Sequence, residues 1–246
     1  MHTHTRESLI AFEDRIKAHW ESGNLPCLLH LCGGNEEQLI SIFNDIRPGD
    51  WVFSTHRNHY HALLAGMPAD QLEAAILDGR SMFAFRRAQM QPGFRPDFDG
   101  MWDGVHLYSS AILAGTCGIA AGVAYACKPH RHPKAHLAPK VWCFLGDGAE
   151  EEGHFYEAAL FVEAHDLPCT FIIEDNNRQV DTPRSDRRGD IMQPFASYAP
   201  HRPLDHFRCV KRYYYTPTYP HAGSGAKPGT IRFQPEAIER MKVATA

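Results

Sequence analysis

The sequence predicts an α/β protein with a doubly wound, mostly parallel sheet and helices on both faces. Apolar runs at 140–145 and 168–174 are typical of strands that are buried on both faces of a parallel sheet. An amphipathic helical pattern at 149–165 separates them, and strands that alternate with helices indicate a doubly wound sheet. With 246 residues, the chain suits one large domain with a sizeable core.

The remaining elements follow from the spacing of apolar residues along the chain. Helical periodicity predicts further helices at 7–21, 35–43, 59–65, 70–77 and 109–128. Short apolar runs predict further strands at 51–53 and 207–215. We expect a single domain over 1–246, with an N-terminal helical segment at about 1–48 and a C-terminal arm at about 216–246.

Residues 80–105 are rich in Gly, Pro and aromatic side chains and show no clear period. Structureless stretches of this length are uncommon in compact domains unless they serve a function. The pattern therefore predicts a long loop over a functional site.

Composition excludes several classes of protein. The formal net charge is −4, so there is no basic footprint for nucleic acid. No apolar run reaches the ~18 residues of a membrane helix, and the N-terminus lacks the apolar core of a secretory signal. The seven cysteines are odd in number and lie mostly in apolar runs. We therefore expect a cytoplasmic protein with buried thiols and no membrane association.

Polar residues follow the two central strands. Asp147 ends the first strand and Asn177 lies just past the end of the next. The carboxyl ends of parallel strands share one edge of the sheet, where ligands bind. Carboxylate and amide oxygens suit Mg²⁺ or Ca²⁺. Backbone amides of Gly148 and Ala149 at the start of the next helix favour a phosphate, and Gly146 with Gly148 permits its close approach.

These residues resemble a known signature. Gly146-Asp147-Gly148, followed by Asn176-Asn177 thirty positions past Asp147, is similar to the thiamine diphosphate motif. The sequence over about 108–183 resembles that of the alpha subunit of pyruvate dehydrogenase-type 2-oxoacid decarboxylating enzymes. It is also similar to the N-terminal domain of transketolases.

The resemblance implies thiamine diphosphate and Mg²⁺ as cofactors, with Ca²⁺ or Mn²⁺ able to replace Mg²⁺. It implies that Asp147 and Asn177 bind the metal through side chains and that Gln179 binds it through a backbone carbonyl. Gly146, Gly148 and Ala149 would lie against the diphosphate.

The segment from Ser54 to His59 falls where the alpha subunits have a Tyr-Arg-x-His segment. The resemblance implies that Arg57 contacts the diphosphate and that His59 lies over the reacting thiazolium ring. His56 replaces the family Tyr and retains the capacity to hydrogen-bond a phosphate.

Three further positions follow from the same resemblance. Backbone groups of Ala111 and Leu113 would meet the aminopyrimidine ring, although the family pattern Gly-x-Val reads Ala-Ile-Leu here. Glu152 matches a family Glu in the contact between subunits. We expect Glu152, His56 and His59 to form the catalytic set of this chain.

The chain is shorter than the usual alpha subunits, and no pyrimidine-binding domain is recognisable in its 246 residues. The resemblance therefore implies a partner chain that carries this domain and its activating Glu, in an α2β2 assembly. The first hypothesis is an alpha-type subunit that acts on a 2-oxoacid by decarboxylation and acyl transfer. The alternatives are half of a split transketolase, acting on ketose sugars, and a non-catalytic cofactor-binding subunit.

Overall fold

The computed structural model describes residues 3–22, 30–78, 101–102, 104–128, 138–180, 182–188 and 207–219. The chain divides into two compact units, the first comprising Met1–Ala111 with Thr216–Ala246 and the second Ile112–Tyr215. Residues 216–219, expected to begin a C-terminal arm, thus belong to the first unit. The single-domain expectation stays a prediction. None of the helices in the described ranges is both long and apolar enough to cross a membrane.

The first unit combines helices with short strands. Its elements are α1 (Arg6–Glu21), α2 (Glu36–Phe43), β1 (Trp51–Ser54), α3 (His59–Leu64), α4 (Ala69–Leu77), β2 (Met101–Trp102) and β3 (Val105–Ser109). Strands β1 and β3 pair in parallel, with Trp51 opposite His106. Strand β2 adds to β3 in the antiparallel sense.

Helix α1 shows how local sequence determines an element of this unit. Thr5 and Ser8 form a reciprocal capping box, which satisfies amides that the first helical turn leaves open. Apolar residues at helical spacing, including Leu9, Phe12 and Ile16, are buried along one face. The helix thereby contributes a continuous stripe to the core of the first unit.

Two glycines of this unit bring distant parts of the chain together. Gly34 has φ +95°, and a Cβ at this position would fall on the carbonyl oxygen of Thr216. The amide of Thr218 donates to the carbonyl of Gly33 at 3.1 Å. Only glycine permits both this backbone conformation and this close approach.

The second unit contains the central strands. Its elements are α5 (Cys117–Ala126), β4 (Val141–Gly146), a 3₁₀ turn (Ala149–Glu151), α6 (Gly153–Ala164), β5 (Cys169–Asp175), β6 (Arg178–Gln179), β7 (Thr182–Pro183), α7 (Arg184–Arg188) and β8 (Val210–Tyr214). Strands β4, β5 and β8 are parallel neighbours, and β6 and β7 form a small antiparallel pair. Phe155 of α6 packs edge-on against Phe171 of β5, with ring centroids 5.6 Å apart.

The α/β class with mostly parallel strand pairing is confirmed. Three predicted elements were wrong in detail. The helix expected at 109–128 spans only Cys117–Ala126, because Ser109 ends strand β3. The helix expected from residue 149 begins at Gly153, because residues 149–151 form a 3₁₀ turn. The loop expected at 80–105 ends in strands β2 and β3, and β3 buries alternate residues in the pattern of a strand. Residues 79–100 of that expected loop lie outside the described residues.

The described cysteines are free thiols, as the sequence predicts. Cys143 lies 3.6 Å from the hydroxyl of Thr116 in the interior of the second unit. Burial raises the pKa of the Cys169 thiol well above its usual value.

Candidate functional site

Asp147 is a buried carboxylate that follows β4. Its side chain is 1% exposed, and Oδ2 accepts hydrogen bonds from Arg187 at 2.7 Å and from Arg184 at 3.4 Å. Oδ1 is also buried and has no hydrogen-bond partner among the described residues. Burial, together with the negative charge of Asp175, raises the pKa of Asp147 to about 6 although both arginines oppose the shift.

Asp175 ends the neighbouring strand β5 and is held by two arginines. Its Oδ2 accepts from Arg184 at 2.5 Å and from Arg212 at 2.6 Å. Burial favours a higher pKa, but the Arg184 hydrogen bond and charge, the Asn177 amide and the Arg212 charge outweigh it, so the pKa of Asp175 is lowered. Asp175 is therefore a fixed negative charge beside Asp147.

Two consecutive turns, each closed by a side-chain oxygen, form the segment that carries Asn177. The amide of Asn177 donates to Asp175 Oδ1 at 3.0 Å, and the amide of Arg178 donates to Asn176 Oδ1 at 3.0 Å. Such Asp and Asn turns replace backbone hydrogen bonds after a strand ends. Asn177 has φ +60°, a left-handed conformation that Asn tolerates better than most residues. Its carbonyl accepts from the amide of Arg184 at 3.0 Å.

Gly148, which follows β4, is in contact with Gln179, which follows β5. A Cβ at Gly148 would lie 2.6 Å from Cγ of Gln179, so the Gln179 side chain packs directly on the glycine. Arg187 adds a contact of 3.5 Å to the Gln179 side-chain oxygen. The structure thus brings together Asp147, Gly148 and Gln179, which sequence reasoning placed at one site.

The residues at these strand ends fit a metal–phosphate group. A buried carboxylate oxygen without a partner is the kind of ligand that a hard cation takes. Gly148 is buried, and the Gln179 side chain occupies the space that a Cβ would need, so the fit rests on the Asp147 oxygen. The surrounding arginines already neutralise much of the charge of the Asp147 and Asp175 carboxylates.

A second buried polar cluster lies in the first unit, around His59. His59 Nδ1 is 2.9 Å from Glu13 Oε1, and both side chains are 0% exposed. The same Glu13 oxygen accepts from the amide of Cys32 at 3.2 Å. Glu13 Oε2 has no hydrogen-bond partner among the described residues. Glu13 therefore fixes the orientation of the His59 ring from helix α1.

His56 and Arg57 contact the segment that precedes α2. The His56 ring meets the ring of His30 edge-on, with centroids 4.5 Å apart. The Arg57 guanidinium donates through Nη1 to the carbonyl of Leu31. These contacts hold the predicted phosphate-binding segment against residues 30–31.

Comparison with known proteins identifies the family. The family model of the dehydrogenase E1 component matches residues 4–199, which is most of the chain. The chain belongs to the dehydrogenase E1 component family. Its assignment to thiamine diphosphate-dependent enzymes resembling the 2-oxoacid dehydrogenase alpha subunit is thereby confirmed.

Individual relatives of this E1 chain include two alpha subunits of acetoin:2,6-dichlorophenolindophenol oxidoreductase. The Bacillus subtilis protein is 29% identical over 174 residues, covering 70% of this chain and 48% of the relative. The Cupriavidus necator protein is 26% identical over 182 residues, covering 70% and 49%. The pyruvate dehydrogenase E1 component subunit alpha of Rhizobium meliloti is 25% identical over 198 residues, covering 78% and 53%. The E1 chain spans about half the length of these relatives.

Three further predicted site residues of this E1 chain are Gly146, Ala149 and Glu152. Gly146 ends β4 opposite Glu174 of β5. Ala149 is buried in the 3₁₀ turn, and the half-buried Glu152 caps α6 with an extended backbone. Their roles stay predictions.

Ala111 and Leu113 fall in different compact units of this E1 chain. Ala111 is half-buried. The carbonyl of Leu113 already contacts His154 Nε2 at 2.9 Å. The predicted backbone contacts of both residues with an aminopyrimidine ring stay predictions.

Sequence reasoning missed several residues that the structure places at these clusters. Glu13 resembles an ordinary exposed carboxylate of a helix. It shares a helical face with the apolar residues Leu9 and Ile16, and this position was the available signal. His30 lies in a segment without a recognisable period. Arg184 and Arg187 belong to a charged stretch that resembles a solvated surface, and only their spacing of three residues indicates a shared helical face.

Proposed function

We propose that this chain is the diphosphate- and Mg²⁺-binding alpha-type subunit of a two-chain thiamine diphosphate-dependent enzyme. Its reaction is decarboxylation of a 2-oxoacid followed by acyl transfer. The observation that carries the proposal is Asp147, a buried carboxylate after β4 with one oxygen that has no partner among the described residues. Membership of the E1 family supports the same reading.

In this proposal the side chains of Asp147 and Asn177 and the carbonyl of Gln179 hold Mg²⁺. The amides of Gly148 and Ala149 hold the diphosphate. Thiamine diphosphate, when bound, would supply a nucleophilic carbon after deprotonation and a ring that takes up the electron pair of the broken carbon–carbon bond. The chain contributes binding and orientation, which accelerate a reaction by holding the reacting groups in the correct geometry.

The residues of the first unit have a second role in the proposal. Arg57 binds a diphosphate oxygen, and its contact with the Leu31 carbonyl supports the guanidinium in one orientation. His56 donates a hydrogen bond to the same group. The Glu13 contact fixes Nδ1 of His59, and in this proposal His59 would exchange a proton with the substrate through its other ring nitrogen.

The partner chain in this proposal carries the pyrimidine-binding domain and the Glu that activates the aminopyrimidine, in a cytoplasmic α2β2 enzyme. The names of the relatives include both acetoin and pyruvate. We therefore propose pyruvate or a related 2-oxoacid as substrate and include acetoin in the test. The histidine contact between His30 and His56 favours split transketolase as the second candidate, because imidazoles suit sugar hydroxyls and phosphates.

Calorimetric titration of thiamine diphosphate with Mg²⁺ tests cofactor binding in this chain alone and mixed with its candidate partner. Asp147→Ala should abolish metal-dependent binding and leave the circular dichroism spectrum unchanged, since it removes the buried ligand. Glu157→Ala, an exposed carboxylate on α6, is the matched control and should bind as wild type does. Equal cofactor affinity of wild type and Asp147→Ala would contradict the site assignment.

Substrate assays of the reconstituted pair separate the candidate functions. Release of CO₂ from pyruvate, with reduction of 2,6-dichlorophenolindophenol, supports the 2-oxoacid reaction. Reduction of the dye with acetoin but without CO₂ release indicates acetoin as substrate. Aldose-dependent turnover without CO₂ supports ketol transfer, and cofactor binding without any turnover supports a non-catalytic subunit.

A further inference from the structure

Arginine side chains already neutralise the carboxylate proposed to bind the metal. Arg187 Nη2 lies 2.7 Å from Asp147 Oδ2, and the Arg187 side chain is only 6% exposed. Arg184 Nη2 lies 3.4 Å from the same oxygen. Asp147 Oδ1 remains without a hydrogen-bond partner among the described residues. The two carboxylate oxygens of Asp147 therefore differ in their environment.

Each arginine also has a second anchor in the second unit. Arg187 Nη1 lies 3.0 Å from Glu151 Oε1, and Arg184 Nη2 lies 2.5 Å from Asp175 Oδ2. Both arginines project from α7, where a spacing of three residues places them on one side. The guanidinium groups are thus held beside Asp147 from a short helix, independently of any ligand.

A divalent cation and the Arg187 guanidinium compete for the same carboxylate. A metal at Oδ1 and the guanidinium at Oδ2 would be two cations on one carboxylate, and their repulsion is strong where water is excluded. A guanidinium group that loses its carboxylate is well suited to a phosphate, because its forked donors match two phosphate oxygens. The diphosphate proposed to bind at Gly148 provides such oxygens.

We infer that Arg187, assisted by Arg184, holds Asp147 in the cofactor-free chain and moves to the diphosphate when the metal binds. This inference rests on the proposed function. Metal alone meets the positive charge of the buried guanidinium on Oδ2, whereas metal with diphosphate gives that guanidinium a new partner. The two ligands are therefore coupled, and each raises the affinity of the chain for the other by the same factor.

Titration of the full chain with Mn²⁺, followed by the electron paramagnetic resonance signal of the free ion, tests this coupling without any activity measurement. The titration is run alone, with inorganic pyrophosphate and with thiamine diphosphate. Arg187→Gln should bind Mn²⁺ alone about tenfold more tightly than wild type, since one charge-assisted hydrogen bond to Asp147 no longer opposes the ion. Pyrophosphate should raise Mn²⁺ affinity less in this variant than in wild type.

Control variants make the result specific. Arg208→Gln removes an exposed arginine that is paired with Glu163, and it should leave Mn²⁺ affinity unchanged. Asp147→Asn should abolish binding in both the wild-type and Arg187→Gln backgrounds, which locates the ion. Arg184→Gln removes the longer contact and should give a smaller increase. It also provides a second variant if Arg187→Gln fails to fold by circular dichroism.

The outcomes distinguish this inference from the function on which it rests. If wild type binds Mn²⁺ with thiamine diphosphate but both arginine variants bind Mn²⁺ alone no more tightly than wild type, the inference is wrong and the proposed function stands. If wild type binds Mn²⁺ neither alone nor with thiamine diphosphate, in the presence of its partner, the proposed function itself is overturned.

Discussion

Replacing Glu13 with alanine should lower the free energy of unfolding by about 2–6 kcal/mol, because two buried groups lose the oxygen to which they hydrogen-bond. Glu13 and His59 are both 0% exposed and 2.9 Å apart. The substitution also leaves the Cys32 amide without its acceptor. Each buried donor that loses its acceptor costs ~1–3 kcal/mol, so two such losses give about 2–6 kcal/mol.

Urea unfolding at pH 7.5, followed by tryptophan fluorescence, measures this loss as a shift in midpoint at constant slope. Glu13→Gln keeps the size of the side chain and one acceptor oxygen, so it should lose less stability than Glu13→Ala. Glu21→Ala is the matched control on the same helix, because Glu21 is 57% exposed and its i,i+4 pair with Lys17 contributes at most about 0.5 kcal/mol. A loss below about 1 kcal/mol for Glu13→Ala would refute the argument that this buried pair stabilises the first unit.

Three further predictions concern stability. Gly34→Ala should destabilise the chain by more than the ~1 kcal/mol expected from φ alone, because its Cβ meets a backbone carbonyl; Gly49→Ala, with φ +93° and open space around its Cβ, is the control in parallel urea titrations. Phe171→Ala should lose about 3–5 kcal/mol in the same assay, since Phe171 is 0% exposed, and a loss near zero would mean that β5 is not a core strand. Burial lowers the pKa of His61 to about 3, so below pH ~6.5 the unfolded chain binds a proton that the folded chain does not. Stability should therefore fall by up to ~1.4 kcal/mol per pH unit between pH ~6.5 and ~3, and His61→Leu should show a shallower fall over that window.

The central strands were predictable because their sequence pattern has one simple physical cause. Strands buried on both faces need continuous apolar runs, and β4 and β5 lie within one residue of the predicted bounds. Asp147 and Asn177 were placed at one site because parallel strands end at a common edge, whereas Gln179 was placed there only by the family resemblance. Strand β3 was missed because it is short and follows a Gly-rich stretch, although it alternates buried and half-buried residues.

Contacts between residues distant in sequence were not predictable from one chain. The Glu13–His59 pair spans 46 positions, and no local pattern specifies which helical carboxylate will meet which histidine. The arginines on Asp147 lie 37 and 40 positions away from it, in a stretch whose composition alone indicates a solvated surface. The start of α6 at Gly153 was missed for a different reason: residues 149–151 satisfy a helical pattern in a tighter 3₁₀ turn.

The contact of Gly33 and Gly34 with Thr216 and Thr218 has a consequence for biosynthesis. The first unit is made from two stretches of chain, and the second unit lies between them as one uninterrupted stretch. A ribosome therefore completes residues 112–215 before it makes the segment that closes on the two glycines. The first unit therefore gains its last contacts only after the whole sequence of the second unit has been made.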